Sequence, residues 1–244
     1  MPSESSISTR RPFRFGIQSG AGFGLTEPHA WTEHARVAED LGYDVLLAPD
    51  HFAPFLSPMV ALAAAAQVTT KLRLGTMVIN QAWRHPAVMA KEAATLDLLS
   101  GGRLELGLGT GWIPREQDQV GIPFEPFAER FKRFEEYIAI VKGLLEHEVF
   151  SYDGVYYQVS ELDVLPRPLQ RPRPPIMIGG YGRRVLRLAQ HEAEIVSYAG
   201  TPAPQDPMDT LAERSAWVRE MAGERYASLE LSLNCGGAFP IGME

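Results

Sequence analysis

Short runs of β-branched and apolar residues alternate along the chain with longer stretches of helical period, a pattern that predicts βα units around a parallel sheet. The first unit is a strand at 13–18 (FRFGIQ), a Gly-rich loop and a helix from about 28 to 41. Trp31, Ala35, Ala38 and Leu41 share a face of that helix, and Gly42 sits where a helix end favours positive φ. A second strand at 45–48 (VLLA) ends at Asp50 and His51, and its helix has Ser57 as N-cap and Pro58 at the first helical position. A third strand at 72–79 (LRLGTMVI) leads through the loop NQAWRHP to a helix opening at Pro86 and closing before Ser100, Gly101 and Gly102. A fourth strand at 103–108 runs into the loop GTGWIPRE.

Residues 127–147 carry the strongest helical pattern, with Phe131, Phe134, Ile138, Val141 and Leu145 on one stripe. The rhythm then breaks. VFSYDGVYYQV (149–159) pairs two aromatic and β-branched runs about Asp153 and Gly154, which predicts a hairpin. Five prolines between Pro166 and Pro175 fix an extended path into a fifth strand at 175–179. A helix from about Arg183, a strand at 194–199, a helix over 208–222 and a strand at 229–234 follow. Seven strands are one short of a closed barrel, so the expected architecture is α/β. It is a TIM-type (β/α)₈ barrel with an insertion at about 148–174, before the fifth strand, and without the last βα unit. One barrel domain over 13–244 follows a flexible tail at 1–12.

Composition narrows the function classes. The chain has 244 residues, enough for one large domain, and a net charge of −7 without a dense Lys/Arg run, which argues against nucleic acid and anionic membrane partners. A single cysteine, Cys235, excludes an internal disulfide, and no Cys/His set has zinc-ligand spacing; no metal is expected, and a reducing cytoplasm is the natural location. The N-terminus lacks the apolar core of a secretory signal, and the most apolar stretch, 59–68, is far shorter than the roughly 20 residues that span a bilayer.

In such a barrel the chemistry belongs to the loops after the strand C-termini. Those loops collect Asp50, His51 and Phe52; Met77 to Trp83; Thr110, Trp112, Arg115 and Glu116; Gly179, Gly180, Tyr181 and Arg183; and Ser197 and Tyr198. IMIGGYGRR places a helix start behind glycines, where free N–H groups and Arg183 or Arg184 would receive a phosphate; the same glycines would equally serve a tight βα turn. LGLGTGW imitates a dinucleotide fingerprint, but its third glycine is misplaced and no helix is expected there. His51 at a strand end suits a proton carrier or a hydrogen-bond donor to a bound ring, with Asp50 as an orienting acceptor. His29, His34, His147 and His191 fall in predicted helices. Neither G-x-S-x-G nor H-E-x-x-H is present, so hydrolase chemistry has no visible nucleophile.

FRFGIQ, AEDLGYDVLLAPDHF, LRLGTMV with WRHPAVMAKEAATLDLLSGGRLELGLGTGW, and PRPLQRPRPPIMIGGYGRRVLRLAQ together resemble the luciferase-like flavin and deazaflavin oxidoreductases. The resemblance covers about 13–235, and the DHF turn and GTGW loop look most like the branch using the deazaflavin coenzyme F420. It implies a ring bound at the C-terminal end of the barrel over a non-proline cis peptide at Met77–Val78, and a homodimer. By the same matching, Asp50, Thr76, Met77, Val78, Gly109, Thr110, Arg115, Gly179, Gly180, Tyr181 and Arg183 would hold the cofactor. His51 and Glu116 would serve catalysis, and Phe55, Trp83 and Trp112 would line the substrate side. Trp112 stands where some F420 dehydrogenases have a glutamate acid, which argues against sugar-phosphate oxidation; Glu116, four residues on, is the substitute carboxylate. The leading expectation is an F420-dependent oxidoreductase moving a hydride to or from a small organic substrate. The alternatives are an FMN-dependent monooxygenase using reduced flavin and oxygen, and a non-catalytic flavin-binding protein with a shortened barrel.

Overall fold

The computed structural model describes residues 13–20, 27, 29–198 and 210–234. The tail, Pro28, most of the Gly-rich loop after the first strand, Ala199, Met208 and Cys235 lie outside the described residues. The elements are β1 (Gly16–Gln18), α1 (Ala30–Asp40), β2 (Val45–Ala48), α2 (Pro58–Ala66), β3 (Arg73–Thr76), β4 (Ile79–Asn80), a 3₁₀ turn (Gln81–Trp83) and α3 (Pro86–Leu99). They continue with β5 (Leu104–Gly109), α4 (Pro114–Gln119), α5 (Phe127–Glu146), β6 (Phe150–Asp153), β7 (Gln158–Leu162), β8 (Ile176–Gly179), α6 (Arg183–Glu192), β9 (Ile195–Tyr198), α7 (Leu211–Ala222), a 3₁₀ turn (Gly223–Ser228) and β10 (Glu230–Leu233).

The large sheet is parallel in the order β1-β2-β3-β5-β8-β9-β10, with β4 also on β5. Side chains alternate across each strand, so one set packs against the helices and the other fills the lumen. Leu46, Leu74, Leu106, Ile178 and Val196 join the outer core; Val45, Leu47, Met77, Met177 and Ile195 form a second, inner one. Gly16 and Gly75 make room for that inner core, because a Cβ at either would fall 2.8 or 2.6 Å from Val45 or Leu47.

The sheet curls until its two edge strands approach, but β1 and β10 do not pair. Side chains bridge them instead. At the N-terminal end the Arg14 guanidinium donates to both oxygens of Glu230 (3.0 and 2.9 Å) and to buried Glu105 (2.5 Å), which also receives Arg73. At the C-terminal end Asn234 Nδ2 donates to Gln18 Oε1 at 3.0 Å. Among the described residues no helix is long and apolar enough to cross a membrane.

Several expectations are corrected in detail. The strand expected over 72–79 stops at Thr76 and resumes at Ile79 across a cis Met77–Val78 peptide bond. The loop GTGWIPRE turns helical from Pro114, because Pro114 at the first helical position and Ile113 in extended backbone start α4. Leu41 is exposed, since α1 ends one residue before it. Asp153 pairs with Gln158, so a four-residue turn over 154–157 closes the hairpin β6-β7. The proline-rich segment is bent, with cis bonds before Pro166 and Pro172. Buried Asp97 on α3 holds it there, accepting from the N–H groups of Leu169 and Gln170 and from Gln170 Nε2 at 2.7–2.9 Å. His29 and His147 cap helices instead of lying within them.

Candidate active site

The break between β3 and β4 shapes the C-terminal rim. Two glycines of β5 exist because the break crowds against them: a Cβ at Gly107 would meet the Thr76 carbonyl oxygen at 1.9 Å, and one at Gly109 would meet Val78 at 2.5 Å. Gly111 has φ +76 and lies against the Asn80 amide, which a Cβ would meet at 2.6 Å. These contacts explain LGLGTGW, the motif that imitates a dinucleotide fingerprint. Thr76 is fully buried, and its hydroxyl donates to the Gly107 carbonyl and accepts from the Gly107 N–H, both at 2.8 Å. Its side chain thus fastens β3 to β5, leaving only its backbone near the rim.

Beside this floor the chain after β2 meets α4. Nδ1 of His51 lies 3.0 Å from Oε2 of Glu116, whose other oxygen accepts the Ala53 N–H at 3.4 Å. Glu116 is buried and His51 half-buried, so the pair is shielded on the carboxylate side and open on the imidazole side. The ring of Phe55 lies 5.8 Å from the imidazole, and Trp112, 73% exposed, stands edge-on to it at 6.0 Å. Trp83 packs edge-on against Phe52 at 4.9 Å and donates from Nε1 to the Asp50 carbonyl at 3.4 Å. Aromatic faces therefore wall one side of the His51–Glu116 pair.

Asp50 is buried, and its Oδ2 accepts from the Asn80 N–H (3.0 Å) and Arg84 Nη1 (2.8 Å). Burial pushes its carboxyl upward in pKa against the pull of Arg84 and the Asn80 amide. Both donors thus fall on one oxygen of Asp50, the residue before His51. Arg84 and Asn80 carry no signal of this contact in the sequence, and only the spatial return of 80–84 to the end of β2 brings them to Asp50.

Across the rim, Gly179 ends β8, the Gly180 N–H donates to the Ser197 carbonyl, and Gly182 caps α6, with no side chain among the described residues on its first-turn N–H groups. Gly180 is required by close helix–strand packing, a Cβ there lying 2.6 Å from Val185. Arg183 and Arg184 are exposed at the start of α6, and Tyr181 lies under the Arg214 guanidinium at 5.1 Å. Thr110 is half-buried, and Arg115 is exposed on α4. The predicted residues thus gather in two groups, one around His51 and one at the β8–α6 turn, with the Met77–Val78 step and side-chain-free Gly109 between them.

A planar ring and a phosphate-bearing tail fit this arrangement. Val78 fills the space a Gly109 Cβ would take, the buried Ser197 hydroxyl has no partner among the described residues, and α6 begins with two exposed arginines.

The family model for luciferase-like monooxygenases matches residues 10–236. An F420-dependent glucose-6-phosphate dehydrogenase of Microbacterium testaceum is 34% identical over 192 residues, covering 75% of this chain and 55% of that protein. An FMNH2-dependent dimethylsulfone monooxygenase of Pseudomonas putida is 31% identical over 166 residues, 66% of this chain and 46% of that protein. The crystal structure of a coenzyme F420-dependent tetrahydromethanopterin reductase from Methanopyrus kandleri superposes with a TM-score of 0.76 at 27% identity, over 90% of this chain and 65% of that one. The chain thus spans between about half and two thirds of the length of these relatives. With a family model covering nearly its whole length, the chain belongs to the luciferase-like monooxygenase family.

Proposed function

We propose that this protein is an F420-dependent oxidoreductase that moves a hydride between the deazaflavin and a small, uncharged organic substrate. The observation that carries this reading is the His51–Glu116 pair beside the glycine floor. The similarity to F420-dependent relatives supports the choice of cofactor.

Met77, Val78 and Gly109 would seat the ring, and Gly179, Gly180, Tyr181 and Arg183 the phosphate-bearing tail, with Thr110 and Arg115 along the edge. Bound there, F420 supplies a carbon that accepts or releases hydride; the protein supplies position, dryness and protons. Because Nδ1 of His51 faces Glu116, Nε2 is the nitrogen left to meet the substrate oxygen. In oxidation, Nε2 takes the hydroxyl proton as the carbonyl forms, and the Glu116 carboxylate stabilises the resulting imidazolium; reduction runs the same transfer backwards. Phe55 and Trp112 would flank the reacting oxygen on the imidazole side, where bound substrate and ring would displace water. Trp112, where a second carboxylate would be needed for a sugar phosphate, favours a less polar substrate.

A second reading, an FMN-dependent monooxygenase, draws on the same aromatic walls and on the dimethylsulfone monooxygenase among the relatives. Titration of the protein with oxidised F420 and, separately, FMN, followed by fluorescence and heat, tests both. Micromolar binding of F420 without FMN is expected. The reverse would redirect the chemistry to oxygen, tight binding without any turnover would favour the non-catalytic flavin-binding reading, and binding of neither would overturn all three.

A further inference from the structure

One charged cluster behind the rim has no part in the chemistry above. Arg84, at the end of the Gln81–Trp83 turn, has its guanidinium between two carboxylates on different elements: Nη1 lies 2.8 Å from Asp50 Oδ2, and Nε lies 3.4 Å from Glu92 Oε2 on α3. The Arg84 side chain is only 17% exposed. Its neighbours are also committed to residue 50, since the Asn80 N–H donates to Asp50 Oδ2 and Trp83 Nε1 to the Asp50 carbonyl. The segment 80–84 thus grips Asp50 by side chain and backbone alike. Residue 51, next in the chain, presents its imidazole to Glu116.

We infer that Arg84 is a positioning residue for His51: acting through Asp50, and kept on its aim by Glu92, it fixes the turn after β2 against the strand break at Met77–Val78. This rests on the reading that His51 meets the substrate. The bland alternative is an ion cluster that only docks α3 on the barrel, and such clusters are common. Three features separate the two. Arg84 reaches the residue adjacent to the proton carrier; Asp50 spends the same oxygen on Asn80, at the edge of the ring floor; and Asn80 packs on Gly111, in the loop leading to Trp112 and Glu116. A catalytic group displaced by about 1 Å loses on the order of 100-fold in rate, so a guanidinium that holds both sides of the site in register has a large kinetic effect.

The test compares wild type with Arg84→Met, Arg84→Lys and Glu92→Gln. Arg84→Met removes the bridge. Arg84→Lys keeps the charge but offers a single ammonium to two carboxylates. Glu92→Gln alters a side chain 38% exposed and therefore keeps the fold if Arg84→Met does not. Two measurements are made: the imidazole ¹H–¹⁵N correlation spectrum of His51 in protein free of cofactor, and the affinity for F420 beside kcat and KM.

The expected result is a displaced His51 signal in Arg84→Met and a smaller displacement in Glu92→Gln. kcat should fall about 10- to 100-fold, with F420 affinity held within about threefold and partial recovery in Arg84→Lys. Unmoved His51 signals, or a kcat that follows only the loss of folded protein, would overturn the inference. If wild type binds neither F420 nor FMN, the functional reading falls, while the imidazole spectra still decide whether Arg84 positions His51.

Discussion

Glu116 Oε2 lies 3.0 Å from Nδ1 of His51, although 65 residues separate them in the chain. A short helix brings the carboxylate there: Pro114 starts α4, and Glu116 in its first turn points back toward β2. Glu116→Gln keeps the shape and one acceptor but removes the charge that stabilises an imidazolium. We expect kcat to fall about 10- to 100-fold with F420 affinity nearly unchanged, and His51→Ala to cost about 100-fold or more, both read by steady-state kinetics. A His51→Ala protein with intact turnover would remove His51 from the mechanism.

Gly107→Ala tests the packing of the strand break. The new Cβ would sit 1.9 Å from a backbone oxygen, which no side-chain rotation relieves. A loss of at least about 2 kcal/mol in chemical denaturation is expected, accompanied by loss of cofactor binding. Gly182→Ala, where a Cβ meets nothing within 4 Å among the described residues, is the control.

Glu39 gives the protein an acid-sensitive staple. Burial works against its charged form, but N–H donors from Leu72, Lys71 and Thr70 outweigh it and hold the carboxyl at about 2, below an ordinary 4.5. A depressed folded-state pKa contributes stability that is fully present above the ordinary value and is lost as pH falls through about 2. Melting temperature measured from pH 6 to pH 2 should therefore decline less steeply below pH 4.5 in Glu39→Gln than in wild type. Parallel curves would assign the acid loss to other carboxylates.

Asp97 anchors the proline-rich segment. Its carboxylate is buried, and Asp97→Ala removes the acceptor shared by three partly buried donors. Destabilisation of about 2 kcal/mol or more is expected. Chymotrypsin should then cut after the exposed Leu169, while wild type resists cleavage there.

Much of this was legible in the chain. The alternation of short apolar runs with helical stretches located seven strands of the barrel and the hairpin insertion, because each unit signals its own period and is closed by its own Gly or Pro. The motifs at the strand ends marked His51, Glu116 and the β8–α6 turn as rim residues. Asn80 fell among the rim residues, but the pairing of Asn80 and Arg84 with Asp50, and of Asp97 with the proline-rich segment, escaped because each spans 30 or more residues, and nothing near them in sequence shows what they meet.

Local order is thus set by the sequence alone: which segments alternate at period two, which at 3.6, and where proline and glycine stop them. Its glycines, however, carry a meaning that only the folded chain supplies. LGLGTGW reads as a weak nucleotide loop in one dimension. In three, Gly107 and Gly109 are the places where the broken edge of β3 presses onto β5, and Gly111 is the one that lets Asn80 pass. Pairing follows the same division. A histidine or a carboxylate is visible in the chain, but the 3.0 Å between His51 and Glu116 exists only because the sheet curls and sets the end of β2 beside α4, and contact between distant residues is a property of the closed core.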